Sequence, residues 1–207
     1  MTAKIDLHAM TVLMVVAHCD DELVCGWPIF QDRSIAKSVL VVSSDRHNEG
    51  RRWCGHRKFV TIDLCQRLAI PVKVLDYDSD FYKLDSRDGS LARFEEDVIK
   101  QMSRFSYDAV FTHNPHGEYG HLDHKFLFDL ISRSSNAPLL ITDLTMTSSW
   151  TSSRSRSARH DALYFRAPVG EAALDENFYR EAQRFYETRG VWTWSEPPSR
   201  SARLYVV

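Results

Sequence analysis

Two short stretches gather the residue types that can do chemistry. His18-Cys19-Asp20-Asp21-Glu22 supplies one imidazole and three carboxylates, and a second stretch rich in His and Asp runs His113-Asn-Pro-His116-Gly-Glu-Tyr-Gly-His121-Leu-Asp123-His124. Imidazole nitrogen and carboxylate oxygen suit a divalent metal of borderline hardness such as zinc. One His and one Asp from the first cluster with one His from the second make three protein ligands. That leaves a coordination position open, the mark of a catalytic rather than a structural zinc. Gly117 and Gly120 permit a tight loop, and His121 and His124, three apart at the start of a helix, can both face one crevice. Taken alone, the first cluster is read equally well as a helix start in which Asp20 and Asp21 serve as caps. The second cluster, in the same position after another strand, favours the metal.

The elements that must position these clusters are legible as well. Thr11–Ala17 (TVLMVVA) is a short, β-branched, apolar run ending in polar residues, as expected of a strand buried on both faces. Similar runs recur at Ser38–Val42, Val72–Leu75, Asp108–Thr112 and Pro138–Thr142, with helical spacing between them, as in Leu91, Phe94, Val98 and Met102. This alternation predicts an α/β fold: an open, doubly wound, mostly parallel Rossmann-like sheet with helices on both faces and a ligand crevice at the strand carboxyl ends. Leu23–Gln31 reads as a helix, Asp76–Gly89 as a polar loop, and Ser132–His160, past its strand, as long loops rich in Ser, Thr and Arg. A further strand is expected at Ala162–Phe165. Asp175 is expected to cap a helix to Glu187, with Phe178, Ala182 and Phe185 on its apolar face. The G-x-G-x-x-G fingerprint that would seat a dinucleotide after the first strand is missing, which argues against a nicotinamide or flavin cofactor and a nucleotide-binding regulator.

The string AHCDDELVCG resembles the A-H-P-D-D-E signature, and GEYGHLDHK the G-x-Y-G-H-P-D-H signature, of the PIG-L/LmbE-type zinc-dependent N-deacetylases. The resemblance implies a Rossmann-like fold and removal of an N-acetyl group from an N-acetylglucosamine-type sugar conjugate. It implies Zn2+ ligands at His18, Asp21 and His124, Asp20 as general base, and a protonated His121 stabilising the oxyanion with Asp123 as its orienting partner. Arg57 matches a family arginine near the substrate, although Val60 stands where a glutamate is usual. Cys19 replaces the signature proline, and two other roles for it, fourth ligand or nucleophile, rank below a plain packed thiol. The alternatives are the same centre acting on another amide, such as an acylated antibiotic or a thiol-sugar conjugate, or a silent sugar-binding relative. A retained base argues against the last.

At 207 residues the chain fits one domain, and 43% hydrophobic with 26% charged residues is globular composition. A formal net charge of −2 supplies no field for nucleic acid or an anionic membrane. No run approaches the roughly 18 apolar residues of a transmembrane segment and the first residues lack a signal-like apolar region, so the chain reads as soluble and cytoplasmic. The partner expected is a small-molecule sugar conjugate. Cys19, Cys25, Cys54 and Cys65 show no C-x-x-C spacing and read as reduced, mostly packed thiols. His8, His47, His56 and His160 read as surface or satisfied core groups, and His113 and His116 as stiffening their loop. Arg154, Arg156 and Arg159 read as a solvated loop, with a phosphorylated sugar as the alternative ligand. Trp192 and Trp194 are expected to pack against the domain rather than on a pyranose.

Overall fold

The computed structural model describes residues 6–44, 56–144, 167–194 and 197–207. Strand β1 (Thr11–His18) is the centre of the sheet, and the reason lies in its composition: every side chain from Val12 to Ala17 is withdrawn from water. Val12, Met14 and Val16 pack into the layer on one face, Leu13, Val15 and Ala17 into the layer on the other. Burying each larger aliphatic chain contributes about 1.5–3 kcal/mol, so only an interior strand can use such a run fully. Parallel partners flank it, β2 (Ala36–Ser43) with Thr11 opposite Ala36 and His18 opposite Ser43, and β4 (Ala109–Phe111) with Val12 opposite Ala109.

Outward from these lie β3 (Val72–Tyr77) and β5 (Leu139–Thr142), both parallel to their neighbours. Five of the six strands read from the sequence are thus present. Among the described residues two more join the sheet, β6 (Gly170–Ala173) and β7 (Ser201–Val206), in the order β3-β2-β1-β4-β5-β7-β6 with β7 antiparallel to both its neighbours. The sheet is therefore mostly parallel, with an antiparallel pair added at one side. The expected strand at Ala162–Phe165 lies outside the described residues, as do Arg154, Arg156, Arg159, Cys54, His47 and His160.

Helices cover both faces. The expected helix Leu23–Gln31 is two short ones, α1 (Asp21–Val24) and α2 (Trp27–Phe30), broken at Gly26. A Cβ on Gly26 would lie 2.5 Å from Met14 Cε and 2.8 Å from the Glu22 carbonyl oxygen, so only glycine lets this turn press against β1. Helices α3 (His56–Arg67) and α6 (Glu176–Glu187) share that face, while α4 (Ser90–Met102) and α5 (Leu122–Ser134) cover the other. Asp175 caps α6 as expected, its Oδ1 accepting the Asn177 and Phe178 N–H groups at 3.0 Å. The stretch Asp76–Gly89 is more ordered than a polar loop: a 3-10 turn at Phe81–Lys83 buries Phe81, which stacks on Phe94 at 5.0 Å.

The strand order reverses between β1 and β4, and that is where an open α/β sheet forms its crevice. His18 ends β1, and His113 follows β4 by one residue. Both chemistry-bearing clusters therefore meet at the switch point.

Candidate metal centre and active site

Three side-chain atoms form a nearly equilateral triangle at the end of β1. His18 Nδ1 lies 3.1 Å from Asp21 Oδ2, His124 Nε2 lies 3.2 Å from the same oxygen, and the two nitrogens are 3.3 Å apart. Donors held about 2.0–2.1 Å from a tetrahedral ion are separated by about 3.3–3.4 Å, so the triangle has the size of one face of such a site. All three residues are buried. The sequence-derived ligand set His18, Asp21 and His124 is thus brought together by the fold.

Each ring is fixed from behind by a carboxylate. Glu118 Oε2 accepts from His124 Nδ1 at 2.7 Å and from His113 Nδ1 at 3.1 Å, while Asp123 Oδ2 lies 3.1 Å from His18 Nε2. Such partners set the tautomer that turns a lone pair toward a metal. Without an ion, burial would lower the His124 pKa, yet Asp21 and Glu118 on its two sides push it up to about 9. Burial likewise opposes ionisation of Asp21 and Glu118. The imidazoles outweigh it, holding Asp21 well below the usual carboxylate range and Glu118 at about 2. The pocket is therefore built around a positive charge between buried carboxylates, and a divalent cation fits that requirement, displacing the proton as it binds.

His113 is excluded from the ligand set by its own bonds: its Nε2 accepts the Ala17 N–H at 2.9 Å, and its ring stacks on His124 at 3.7 Å between centroids. It stitches the loop after β4 to the end of β1. Cys25, His113, Glu118 and His124 lie close enough to form a second potential ligand group. The hydrogen bonds just described make this group the backing of the first.

His121 differs from its sequence-based role. Its donor atoms fall within 4.8 Å of those of His18 and His124, and its Nδ1 accepts the Asp123 backbone N–H at 3.2 Å as the N-cap of α5. Burial, then His124 and His18, pushes its pKa down to about 3, which disfavours an imidazolium, and with Nδ1 accepting a hydrogen bond the nitrogen left to donate is Nε2. Asp123 is not its orienting partner either. That carboxylate bonds His18 and the Asp80 and Tyr82 N–H groups, at 2.7 and 3.1 Å, from the turn after β3.

Asp20 occupies the N-cap position of α1 with φ 89°, and its side chain makes no capping bond, so the simple cap reading fails for it. Its carboxylate pairs instead with the Arg57 guanidinium, which also donates to Thr193 Oγ1 at 2.9 Å. Arg57, expected near the substrate, is buried and acts on Asp20. Val60, in place of the usual glutamate, belongs to the core. Cys19 points away from the triangle, its buried thiol donating to the Ser43 carbonyl at 3.7 Å, with burial and then Glu22 pushing its pKa far up. That position favours the packed-thiol reading over a ligand or nucleophile role. Trp192 packs on Tyr179 and Tyr186 as expected, whereas Trp194 sits edge-on to Tyr119, 5.1 Å away, which in turn touches the His121 and His124 rings.

Glu118, Tyr186 and Thr193 are contributors that sequence reasoning left without a role, and Glu22 reads only as one of the three carboxylates of the first cluster. For Glu118 a signal existed, since a metal-binding imidazole needs an acceptor on its far nitrogen and this residue stands in the same glycine-flanked loop. Tyr186 and Thr193 arrive from distant parts of the chain.

No family model matches the chain. An uncharacterized protein, L374, of Acanthamoeba polyphaga mimivirus is 26% identical over 138 residues, covering 63% of this chain and 60% of that protein, so the match spans less than two thirds of its length. Among solved structures, a deacetylase of teicoplanin biosynthesis in complex with teicoplanin matches over 95% of this chain and 99% of its own, with TM-score 0.59 at 12% identity. The A40926 pseudoaglycone deacetylase Dbv21 matches over 86% and 81% with TM-score 0.56 at 14% identity. GalB, a 4-carboxy-2-hydroxymuconate hydratase from Pseudomonas putida KT2440, matches over 95% of both chains with TM-score 0.53 at 13% identity. The chain has the LmbE/PIG-L-type deacetylase fold. At these identities it is the architecture that is shared.

Proposed function

We propose that this protein is a divalent-metal-dependent amide hydrolase that removes an N-acetyl group from an N-acetylglucosamine-type sugar conjugate, releasing acetate and a free amino sugar. The observation that carries the reading is the buried triangle of His18 Nδ1, Asp21 Oδ2 and His124 Nε2, with sides of 3.1–3.3 Å and a carboxylate behind each ring. Two nitrogens and one carboxylate oxygen, three protein ligands in all, match the donor set of catalytic zinc. When bound, such an ion polarises an acyl carbonyl and brings the pKa of water toward about 7.

The chain's own residues supply the rest. Asp20, oriented by Arg57, accepts the proton of the attacking water, and His121 donates its Nε2–H to the carbonyl oxygen as negative charge builds there. Collapse of the tetrahedral adduct breaks the C–N bond, and the proton held by Asp20 passes to the departing amine. Water and amide become acid and amine, with no other reactant. No described helix is long and apolar enough to cross a membrane, and a dissolved sugar conjugate fits such a molecule.

The test is metal analysis of the purified protein beside acetate release from N-acetylglucosamine conjugates, before and after chelation. One ion per chain and chelator-sensitive, zinc-restored release are expected. Full release from metal-free protein would end the reading. Hydration of an unsaturated carboxylate without any deacetylation would assign the same centre to water addition, the activity named for GalB.

A further inference from the structure

Asp20 is held in a left-handed backbone conformation. Its φ of 89° lies in the left-handed region, which non-glycine residues enter seldom and keep only where the surroundings over-determine it. The surroundings here are specific. The Asp20 N–H donates to Glu22 Oε2 at 3.0 Å, the other Glu22 oxygen accepts the Tyr186 hydroxyl, and that hydroxyl also bonds Thr61 Oγ1 at 2.8 Å. Glu22, Thr61 and Tyr186 are all fully withdrawn from water. A carboxyl group in that position is costly unless both oxygens are satisfied, and the group that satisfies one of them is the Asp20 amide.

The carboxylate end of Asp20 leads the same way. Arg57 on α3 holds it, and Thr193 holds Arg57. Both ends of one residue are thus fastened to α3 and to the chain from 186 to 193. From this double attachment we infer that Glu22 and Tyr186 are positioning residues, fixing the left-handed turn at Asp20 and with it the direction of its carboxylate. The inference rests on the reading of Asp20 as the base.

The test follows hydrogen exchange in a peptide spanning residues 18–24 of the metal-loaded protein, with metal content, thermal midpoint, and kcat and KM for acetate release from an N-acetylglucosamine glycoside. Tyr186→Phe and Glu22→Leu are expected to speed exchange at the Asp20 amide by about tenfold or more. Both should keep one metal per chain and lose about 10–100-fold in kcat with KM within about twofold, as a small misplacement of a reacting group does. Glu22→Gln, whose amide can still accept the Asp20 N–H and donate to Tyr186, should recover most of both effects. Unchanged exchange and kcat in Tyr186→Phe and Glu22→Leu would overturn the inference. So would metal loss matching the kcat loss, or a Glu22→Gln protein no better than Glu22→Leu. Where Tyr186→Phe fails to fold, the two Glu22 variants decide. Asp20→Asn run alongside separates the questions: full activity there would end the reading of Asp20 as base, while the exchange measurement still decides whether Glu22 and Tyr186 hold the turn.

Discussion

The two loops that build the site are supported in opposite ways. The loop after β4 is supported mainly from within: Glu118 bonds His113, His124 and the Asn114 N–H, Asn114 Oδ1 accepts the His116 and Glu118 N–H groups, and Gly117 closes the turn, with outside ties from the Ala17 N–H to His113 and from Asn114 Nδ2 to the Leu144 carbonyl. A Cβ on Gly117, at φ +66°, would meet the His121 carbonyl oxygen at 2.5 Å. The loop after β1 borrows its supports from Asp123, Arg57 and Tyr186, none of them near it in sequence. Damage to the first loop is therefore a local event felt by the metal, while the second can be disturbed from far along the chain and should register in the chemistry.

The largest effect is expected at the point where the loops meet. His124→Ala removes one vertex of the triangle and leaves Asp21 and Glu118 facing each other without the charge between them. Bound metal and activity should both fall by more than about a hundredfold, measurable by elemental analysis after dialysis. Next comes Glu118→Gln, which alters the acceptor of two imidazoles at once and should weaken metal affinity by about 10–100-fold. If a competition titration shows no weakening, the self-contained picture of the β4 loop is wrong. Arg57→Met should separate the two loops cleanly: metal retained, kcat lowered by about tenfold through a less well oriented Asp20. Metal loss in that variant would erase the distinction. Smallest of all, Cys19→Ala should leave metal and activity unchanged and cost about 1 kcal/mol or less in a denaturant melt, since only a weak thiol bond and a little packing are lost.

The same contrast explains what the sequence disclosed. The five parallel strands were legible because strands buried on both faces are written as continuous apolar runs. Strands β6 and β7 were not, since GEAA and SARLYV are short and mix exposed with buried positions on an antiparallel margin. The ligand types and their gathering at one crevice followed from strand-end position. The orientation of Asp123 did not, because the two N–H groups that draw it toward His18 come from a stretch whose composition reads only as a polar loop. The lowered pKa of His121 was hidden for a related reason: it comes from burial and then from two imidazoles that only the folded chain puts beside it.

Strand β7 lies between β5 and β6, both of which precede it in the chain. During synthesis β5 therefore leaves the ribosome with the Leu139–Thr142 edge open, and it stays open while roughly sixty further residues are added, several seconds at ordinary translation rates. Its apolar margin is then a site for intermolecular pairing, which β7 later covers. The segment that holds Arg57 and Glu22 belongs to the same late stretch, so a nascent chain is both stickiest and chemically least competent until β7 arrives. Yield in vivo should therefore depend on chaperone supply more steeply than the stability of the finished protein would suggest.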